Sequence, residues 1–330
     1  MEQESSIREE SIASMEAELP QLFVERLQEL LSKEEYESSI HSFCNPKPIT
    51  IRPNTLRLPE TVMLSNITNA GLKTTPIDWC PLCHLVEQGT IRELQELPSW
   101  NAGEFYIQAA SSMLAVHVLQ VEPEMRVLDM CAAPGSKTTQ LAALMHNKGM
   151  LVANDRSRKR LYRLREILQK QGATNVEVLC GPGERLGQTH ADCFDRVLVD
   201  VPCSGEGRFR MDRPIRLSRW SMHEIQTLAK LQEQLLVAAL RCVCVGGMVV
   251  YSTCTFAPEE NEFVLYRVLS RNSIHAEVVQ IPDHLHPPTA INPITSWNDN
   301  QIDFDIRHAI RIIPDHTTTG FFIACLKRLS

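Results

Sequence analysis

No apolar run in the chain reaches the ~20 residues needed to cross a bilayer, so no membrane span is expected. An export signal is missing too, because the first ten residues, MEQESSIREE, hold neither a basic stretch nor an apolar one. They are not arginine-rich and acid-poor either, which argues against an organelle transit peptide and leaves the cytoplasm as the expected location. Without export, the eleven cysteines read as thiols rather than disulfides. Cys80-Pro-Leu-Cys83-His84 looks like half of a zinc site, but the second ligand pair is missing and structural zinc takes four ligands, so no metal is expected. A surplus of positive charge is also lacking, since the net charge is −7. That charge is uneven: the first 37 residues hold eleven Glu against Arg8, Arg26 and Lys33, a balance of −8 that leaves +1 for the remainder.

A chain of 330 residues can hold one large core with one or two small subdomains, and 43% hydrophobic with 22% charged residues describes an ordinary globular protein. Residues 14–38 carry Leu19, Leu22, Phe23, Leu27, Leu30 and Leu31 at helical spacing, which predicts a helical N-terminal segment over residues 1–47. Pro46, Pro48 and Pro53 then mark a linker. Residues 48–103 read as a small mixed domain of short strands with one helix near 60–70. From 104 to 330 strands and helices alternate, with strands at 126–130, 150–154, 176–180, 196–201 and 248–252. Helices fall at 136–145, 157–171, 221–243 and 259–271, a pattern that predicts a doubly wound α/β sheet.

The stretch that organises this alternation is VLDMCAAPGSKTT, residues 127–139. An apolar strand ending in Asp129 meets small residues, Pro134 and Gly135, and then a helix. Small residues let backbone N–H groups approach a ligand, and the helix N-terminus adds partial positive charge. Asp155 closes the next strand, where an acid reaches ribose hydroxyls or, alternatively, caps the helix starting near Ser157. Two further motifs, DVPCSGEG at 200–207 and YSTCTFAPEENE at 251–262, each place a cysteine just beyond a strand-like run. Cys193, Cys242, Cys244 and Cys325 read instead as small buried hydrophobes. Arginine and lysine cluster at Arg156, Arg158, Lys159, Arg160, Arg163, Arg165 and Lys170, and again at Arg208, Arg210, Arg213, Arg216 and Arg219, beside the first cysteine motif. Either cluster serves as a solvated face or as a path for a phosphate backbone.

With CAAPGSKT, the two cysteine motifs resemble the RNA cytosine C5 methyltransferases of the Sun/RsmB/RsmF/NOL family, nearest its bacterial RsmF branch. The likeness runs from RPNTLR at 52–57 through FYIQAASSML at 105–114 to GFFIACLKR near the C-terminus. It implies a class I S-adenosylmethionine-dependent methyltransferase over 104–330, a Rossmann-like, seven-stranded, mostly parallel sheet whose last strand is antiparallel. It also implies that 48–103 is an α+β RNA-binding subdomain. Cofactor contacts are then expected from Cys131, Ala132, Ala133, Pro134, Gly135, Ser136 and Lys137, with Asp155, Arg160, Pro182 and Asp200. Two departures stand out. Pro182 falls where the family carries an acid near the adenine, leaving Glu184 as its substitute or the adenine held otherwise, and Ala109 replaces an acid after Gln108.

C5 of cytosine is a poor nucleophile, and the family adds a thiolate to C6 to activate it. The resemblance makes Cys254 that nucleophile and Cys203 the residue that assists release. Asp200 would hold the cytosine edge at N3 and N4, with Lys137 as electrostatic partner. The implied substrate is a cytidine in structured RNA, held in a loop or flipped from its helix, with rRNA ahead of tRNA and the protein acting as a monomer. Two rivals stay open: a DNA cytosine methyltransferase using Cys203, for which the ENV-type acid motif is missing, and a non-catalytic RNA-binding assembly factor that retains the fold.

Overall fold

The computed structural model describes residues 12, 14–212, 217–271 and 275–330. Much of the acid-rich start therefore lies outside the described residues, as do Arg213 and Arg216 of the second basic cluster. After helical residues at 14–16, the periodicity of 14–38 breaks between two further helices, α1 (Gln21–Leu30) and α2 (Lys33–Cys44). The break is local in origin. The Ser32 side chain accepts from the Glu35 N–H while the Glu35 carboxylate accepts from the Ser32 N–H, a reciprocal cap that starts a new helix. Phe23, Leu27, Ile40 and Phe43 on the buried faces pack with Phe209, Leu217 and Phe256, which belong to loops of the larger domain.

A four-stranded antiparallel sheet follows, formed by β1 (Thr50–Pro53), β2 (Thr74–Pro76), β3 (His84–Val86) and β4 (Phe105–Ile107) in the order β2-β3-β1-β4. Helix α3 (Glu60–Asn69) covers it with Met63 and Ile67 against Ile51 and Phe105. Pro53 thus ends a strand instead of lying in a linker. Residues 105–107, which fall in the span 104–330 expected for the larger domain, pair with β1 of the small sheet.

The RPNTLR segment turns out to be a bracket. Asn54 Nδ2 donates to the carbonyls of Gly103 at 2.7 Å and Gln171 at 2.8 Å, and Arg57 donates to that of Lys170 at 2.8 Å. Those last two carbonyls belong to the final turn of a helix, where carbonyls lack intrahelical partners. Arg52 is 2% exposed, with Nε 3.3 Å from Gln108 Oε1 and Nη2 3.1 Å from Thr139 Oγ1. Burial pushes its pKa down to about 10.

The larger domain runs through α4 (Ala110–Val118), β5 (Arg126–Asp129), α5 (Ser136–Leu144), β6 (Met150–Asp155), α6 (Arg158–Gln171), β7 (Val176–Cys180) and β8 (Phe194–Asp200). It continues with α7 (Met222–Cys242), β9 (Val243–Thr253), α8 (Glu262–Leu269), β10 (Ala276–Val279), β11 (Ala290–Ile291), β12 (Ile310–Ile312) and β13 (Phe321–Arg328). Strands β9-β8-β5-β6-β7 are parallel, and β13 pairs antiparallel with β9 from Phe322 opposite Thr253 to Lys327 opposite Met248. Among the described residues the sheet has nine strands where seven were expected, because β10 and β12 share the far edge of β13 and β11 adds to β12. These additions are two to four residues long, too short to leave a recognisable period.

Side chains alternate across this sheet. Val199 and Tyr251 enter the core under α7 and α8, while Leu198 and Val250 enter the one under α4 and α5. Both faces are covered, as parallel sheets require. The chain winds outward from β5 through β6 to β7, then returns to β8 and β9 on the other side. The crevice between the ends of β5 and β8 is the switch point where ligands bind in such sheets. Among the described residues no helix is long and apolar enough to cross a membrane.

Candidate active site

A cleft of about 1020 Å³ opens at that switch point. Its floor is the turn between β5 and α5. Gly135 has φ +117°, and a Cβ there would stand 2.7 Å from the Leu164 side chain. The turn is tied to the end of β6, since the Ala132 N–H donates to the Asn154 carbonyl at 2.8 Å and the Ala133 N–H to Asp155 Oδ2 at 3.3 Å. Asp155, 3% exposed, also accepts from the Ser157 N–H at 2.9 Å and pairs with Arg160 at 3.1 Å. Helix α6 is capped by Ser157, which accepts from the Arg160 N–H, so Asp155 is not its cap. Beneath the turn, burial raises the Asp129 carboxyl to about 7, and Thr138 donates to it at 2.7 Å.

Cys131, Ala133, Pro134, Ser136, Lys137, Asp155 and Arg160 border the cleft, as do Asp200, Cys203 and Cys254. Ala132 and Gly135 shape the turn from behind. Pro182 stands off the cleft, whose wall there is Gly183 and Glu184. Several wall residues escaped sequence reading, Asn154 first among them. Asn154 is 1% exposed, its Nδ2 donates to the carbonyls of Met130 and Gly181, and its Oδ1 is buried without a hydrogen-bond partner. Its place beside Asp155 at a strand end was the available signal. Thr319 and Phe321, also on the wall, gave none. Cys80 and Cys83 pack in the core under α4, Cys80 donating to the Ala110 carbonyl, and His84 meets Glu60 at 2.7 Å.

The cysteine edge is built by β8 and β9. Asp200 Oδ2 lies 2.7 Å from Lys137 Nζ, and Asp200 Oδ1 accepts from Ser252 Oγ at 2.9 Å. Cys203 Sγ and Cys254 Sγ are 3.3 Å apart. Cys254 is drawn down to about 7, first by the hydrogen bond from the Cys203 thiol and then by the charges of Arg208 and Lys137. Cys203 is pushed up by the same hydrogen bond, by burial, and by Cys254 and Glu260.

Two buried carboxyls lock the loops that carry these sulfurs, each reaching into the other loop. Glu206, from the first, accepts from Thr255 Oγ1 at 2.8 Å, the Phe256 N–H at 3.0 Å and Trp220 Nε1 at 2.7 Å. Glu260, from the second, accepts from the Ser204 N–H at 3.0 Å and Gln232 Nε2 at 2.7 Å, and contacts the Ser204 hydroxyl. Burial raises the Glu260 carboxyl to about 8, so it is largely protonated at neutral pH. The loops also touch through backbone, with the Gly207 N–H donating to the Cys254 carbonyl at 3.0 Å, and Gly207 abuts the residue before β13, since a Cβ there would stand 2.1 Å from the Gly320 oxygen.

A doubly wound sheet with a ligand turn at its switch point and an antiparallel strand at the end of its parallel run is the class I, Rossmann-like methyltransferase fold. Residues 116–327 match the family model for 16S rRNA methyltransferase RsmB/F, and residues 19–110 that for the N-terminal domain of 16S rRNA methyltransferase RsmF. The chain belongs to the RsmB/F methyltransferase family. It is 39% identical to a ribosomal RNA small subunit methyltransferase F of Aeromonas hydrophila over 73% of this chain and 51% of that protein. It is 35% identical to the 26S rRNA (cytosine-C(5))-methyltransferase nsun-1 of Caenorhabditis elegans over 87% of this chain and 43% of that protein. The chain thus spans about half the length of these curated relatives. The crystal structure of a methyltransferase homologue from Pyrococcus horikoshii superposes with a TM-score of 0.81 at 31% identity, covering 97% of this chain and 99% of that one.

Proposed function

We propose that the protein transfers a methyl group from S-adenosylmethionine to C5 of a cytidine in RNA, with rRNA the first substrate class to test because the relatives are named for it. The observation that carries this reading is the cysteine pair at 3.3 Å, with Cys254 the more acidic partner, beside the Lys137–Asp200 pair. A cofactor with ribose hydroxyls and an amino-bearing base fits the other half of the cleft. The Asp155 carboxylate stands on its wall, and the buried Asn154 Oδ1 is an acceptor still wanting a donor. Glu184 offers a second acceptor near the place where Pro182 offers none. S-adenosylmethionine, when bound, supplies the electrophilic methyl group.

The residues then divide the work. The Cys254 thiolate adds to C6 of cytosine, moving electron density toward C5 and N3. Asp200 accepts from the N4 amino group, and the Lys137 ammonium balances the charge that develops beside it. After C5 is methylated, water in the open cleft takes the C5 proton, the electrons of that C–H bond restore the 5,6 double bond, and the C6–S bond breaks with its electron pair returning to Cys254 as thiolate. Cys203, holding a proton 3.3 Å away, assists that release.

Incubation with S-adenosylmethionine and total RNA, followed by denaturing electrophoresis, tests the assignment. Cys203→Ala accumulates a covalent protein–RNA adduct, and Cys254→Ala forms none. Adducts in Cys254→Ala alone would reverse the two roles and favour the chemistry of the DNA enzymes. No adduct in any variant, with no methyl transfer by the unaltered protein, would leave the non-catalytic reading standing.

A further inference from the structure

At about 1020 Å³ the cleft stands at the top of the roughly 300 to 1,000 Å³ range of pockets that bury a single small ligand. Its cysteine end is bordered by Lys47, Arg208 and Arg210, three cations that the proposed chemistry does not use as reacting groups. They come from two parts of the chain held rigidly together. Lys47 follows α2, while Arg208 and Arg210 follow the first cysteine motif. The Met211 N–H donates to the Phe43 carbonyl at 3.0 Å, and Cys44 Sγ lies 3.2 Å from Met211 Sδ. Phe209, fully buried between the two arginines, packs edge-on to Phe23 at 5.2 Å and Phe43 at 6.1 Å. The arrangement is therefore fixed by packing.

Among the described residues neither Lys47 nor Arg208 has a carboxylate partner, while Arg210 pairs with Asp212 at 2.7 Å. The Lys47 ammonium donates to the Ser42 carbonyl at 2.8 Å and lies 5.3 Å from the Phe43 ring centroid. Partial burial and the nearby Arg210 charge push it down to about 8. Asp212 answers Arg210, so among the described residues the half-buried Lys47 and the exposed Arg208 are left at this mouth without a counter-charge. A phosphodiester supplies that counter-charge for a substrate whose base must reach Cys254.

We propose that Lys47, Arg208 and Arg210 form a backbone-phosphate site for the RNA strand at the mouth of the cysteine end, assembled jointly by the N-terminal helical segment and the loop after Cys203. This rests on the RNA reading above. The site positions the strand without reading its sequence.

The test uses fluorescence anisotropy of the full chain with a fluorescein-labelled RNA hairpin whose loop is single-stranded and contains cytidine, titrated over a series of KCl concentrations. Lys47→Gln and Arg208→Gln each weaken binding several-fold and reduce the slope of log K against log salt by roughly 0.7, the change for one phosphate contact on a single strand. Lys47→Arg restores the slope. S-adenosylhomocysteine affinity, measured by calorimetry on the same samples, is unchanged and shows that the variants are folded. Unchanged salt slopes in both Gln variants, with tight hairpin binding by the unaltered protein, overturn the phosphate site and leave the methyltransferase reading intact. Failure of the unaltered protein to bind the hairpin while binding S-adenosylhomocysteine overturns the RNA reading and this site with it.

Discussion

Cys203 and Cys254 carry the same side chain, and their surroundings separate them. Glu260 stands on the side of Cys203, whereas Arg208 and Lys137 stand on the side of Cys254. With its pKa drawn to about 7 from 9.0, Cys254 is half thiolate near neutral pH and becomes a thiol as the pH falls below that. Iodoacetamide labelling of Cys254, followed by peptide mass spectrometry across pH 5–10, is expected to accelerate through a midpoint near 7. Arg208→Gln moves that midpoint upward by roughly half a unit, the scale of one screened charge. A midpoint near 9 in the unaltered protein would remove the electrostatic case for Cys254 as nucleophile. At this scale Cys203 and Cys254 were legible as residues just beyond strands, while Asp200 and Lys137, which border the same cleft, were singled out only by the family resemblance. The difference between the two thiols was not legible, since it depends on which charges the folded loops bring near.

The cysteine loops are irregular, and their order comes from two buried carboxyls in place of a hydrogen-bonded ladder. That device leaves a pH signature. Folded Glu260 keeps its proton up to about pH 8, while the unfolded chain releases it near the ordinary glutamate value of 4.5. Its contribution to stability is therefore complete below about 4.5 and is lost as the pH rises through 8. Glu260→Gln, which cannot titrate, removes that part of the slope, worth at most about 1.4 kcal/mol per pH unit. Urea unfolding between pH 5 and 8 measures it, and identical slopes for Glu260→Gln and the unaltered protein would contradict the buried neutral acid. The letters of SGEG and PEEN show that acids are present, but a sequence gives no sign that each acid crosses to the other loop.

Across the whole molecule, the small sheet and the N-terminal helices are fastened to the larger domain by polar brackets and an aromatic cluster. Asn54 alone joins β1 to the Gly103 and Gln171 carbonyls. Asn54→Ala leaves those groups without their donor and lowers the unfolding free energy by roughly 1–3 kcal/mol, read as a lower urea midpoint. No shift in midpoint would mean that the bracket carries no load. The doubly wound order was legible because β5 to β9 alternate with amphipathic helices such as α6, whose Leu161, Leu164 and Leu168 face inward. The small sheet was harder to read. Its strands are three or four residues long, and a buried cation such as Arg52 looks in sequence like a surface residue.

The antiparallel strand β13 sets an order on how the protein can be made. It fills the place beside β9, the strand that leads into Cys254, yet it is encoded after every other strand of the sheet. While residues 321–328 are still inside the ribosome, β9 has one neighbour and an open edge whose residues from Met248 to Thr253 have no partner on that side. Gly320, which closes against Gly207, is also still to come. The nascent chain can complete the turn between β5 and α5 early, but the edge bearing Cys203 and Cys254 closes only after residues 320–328 have emerged.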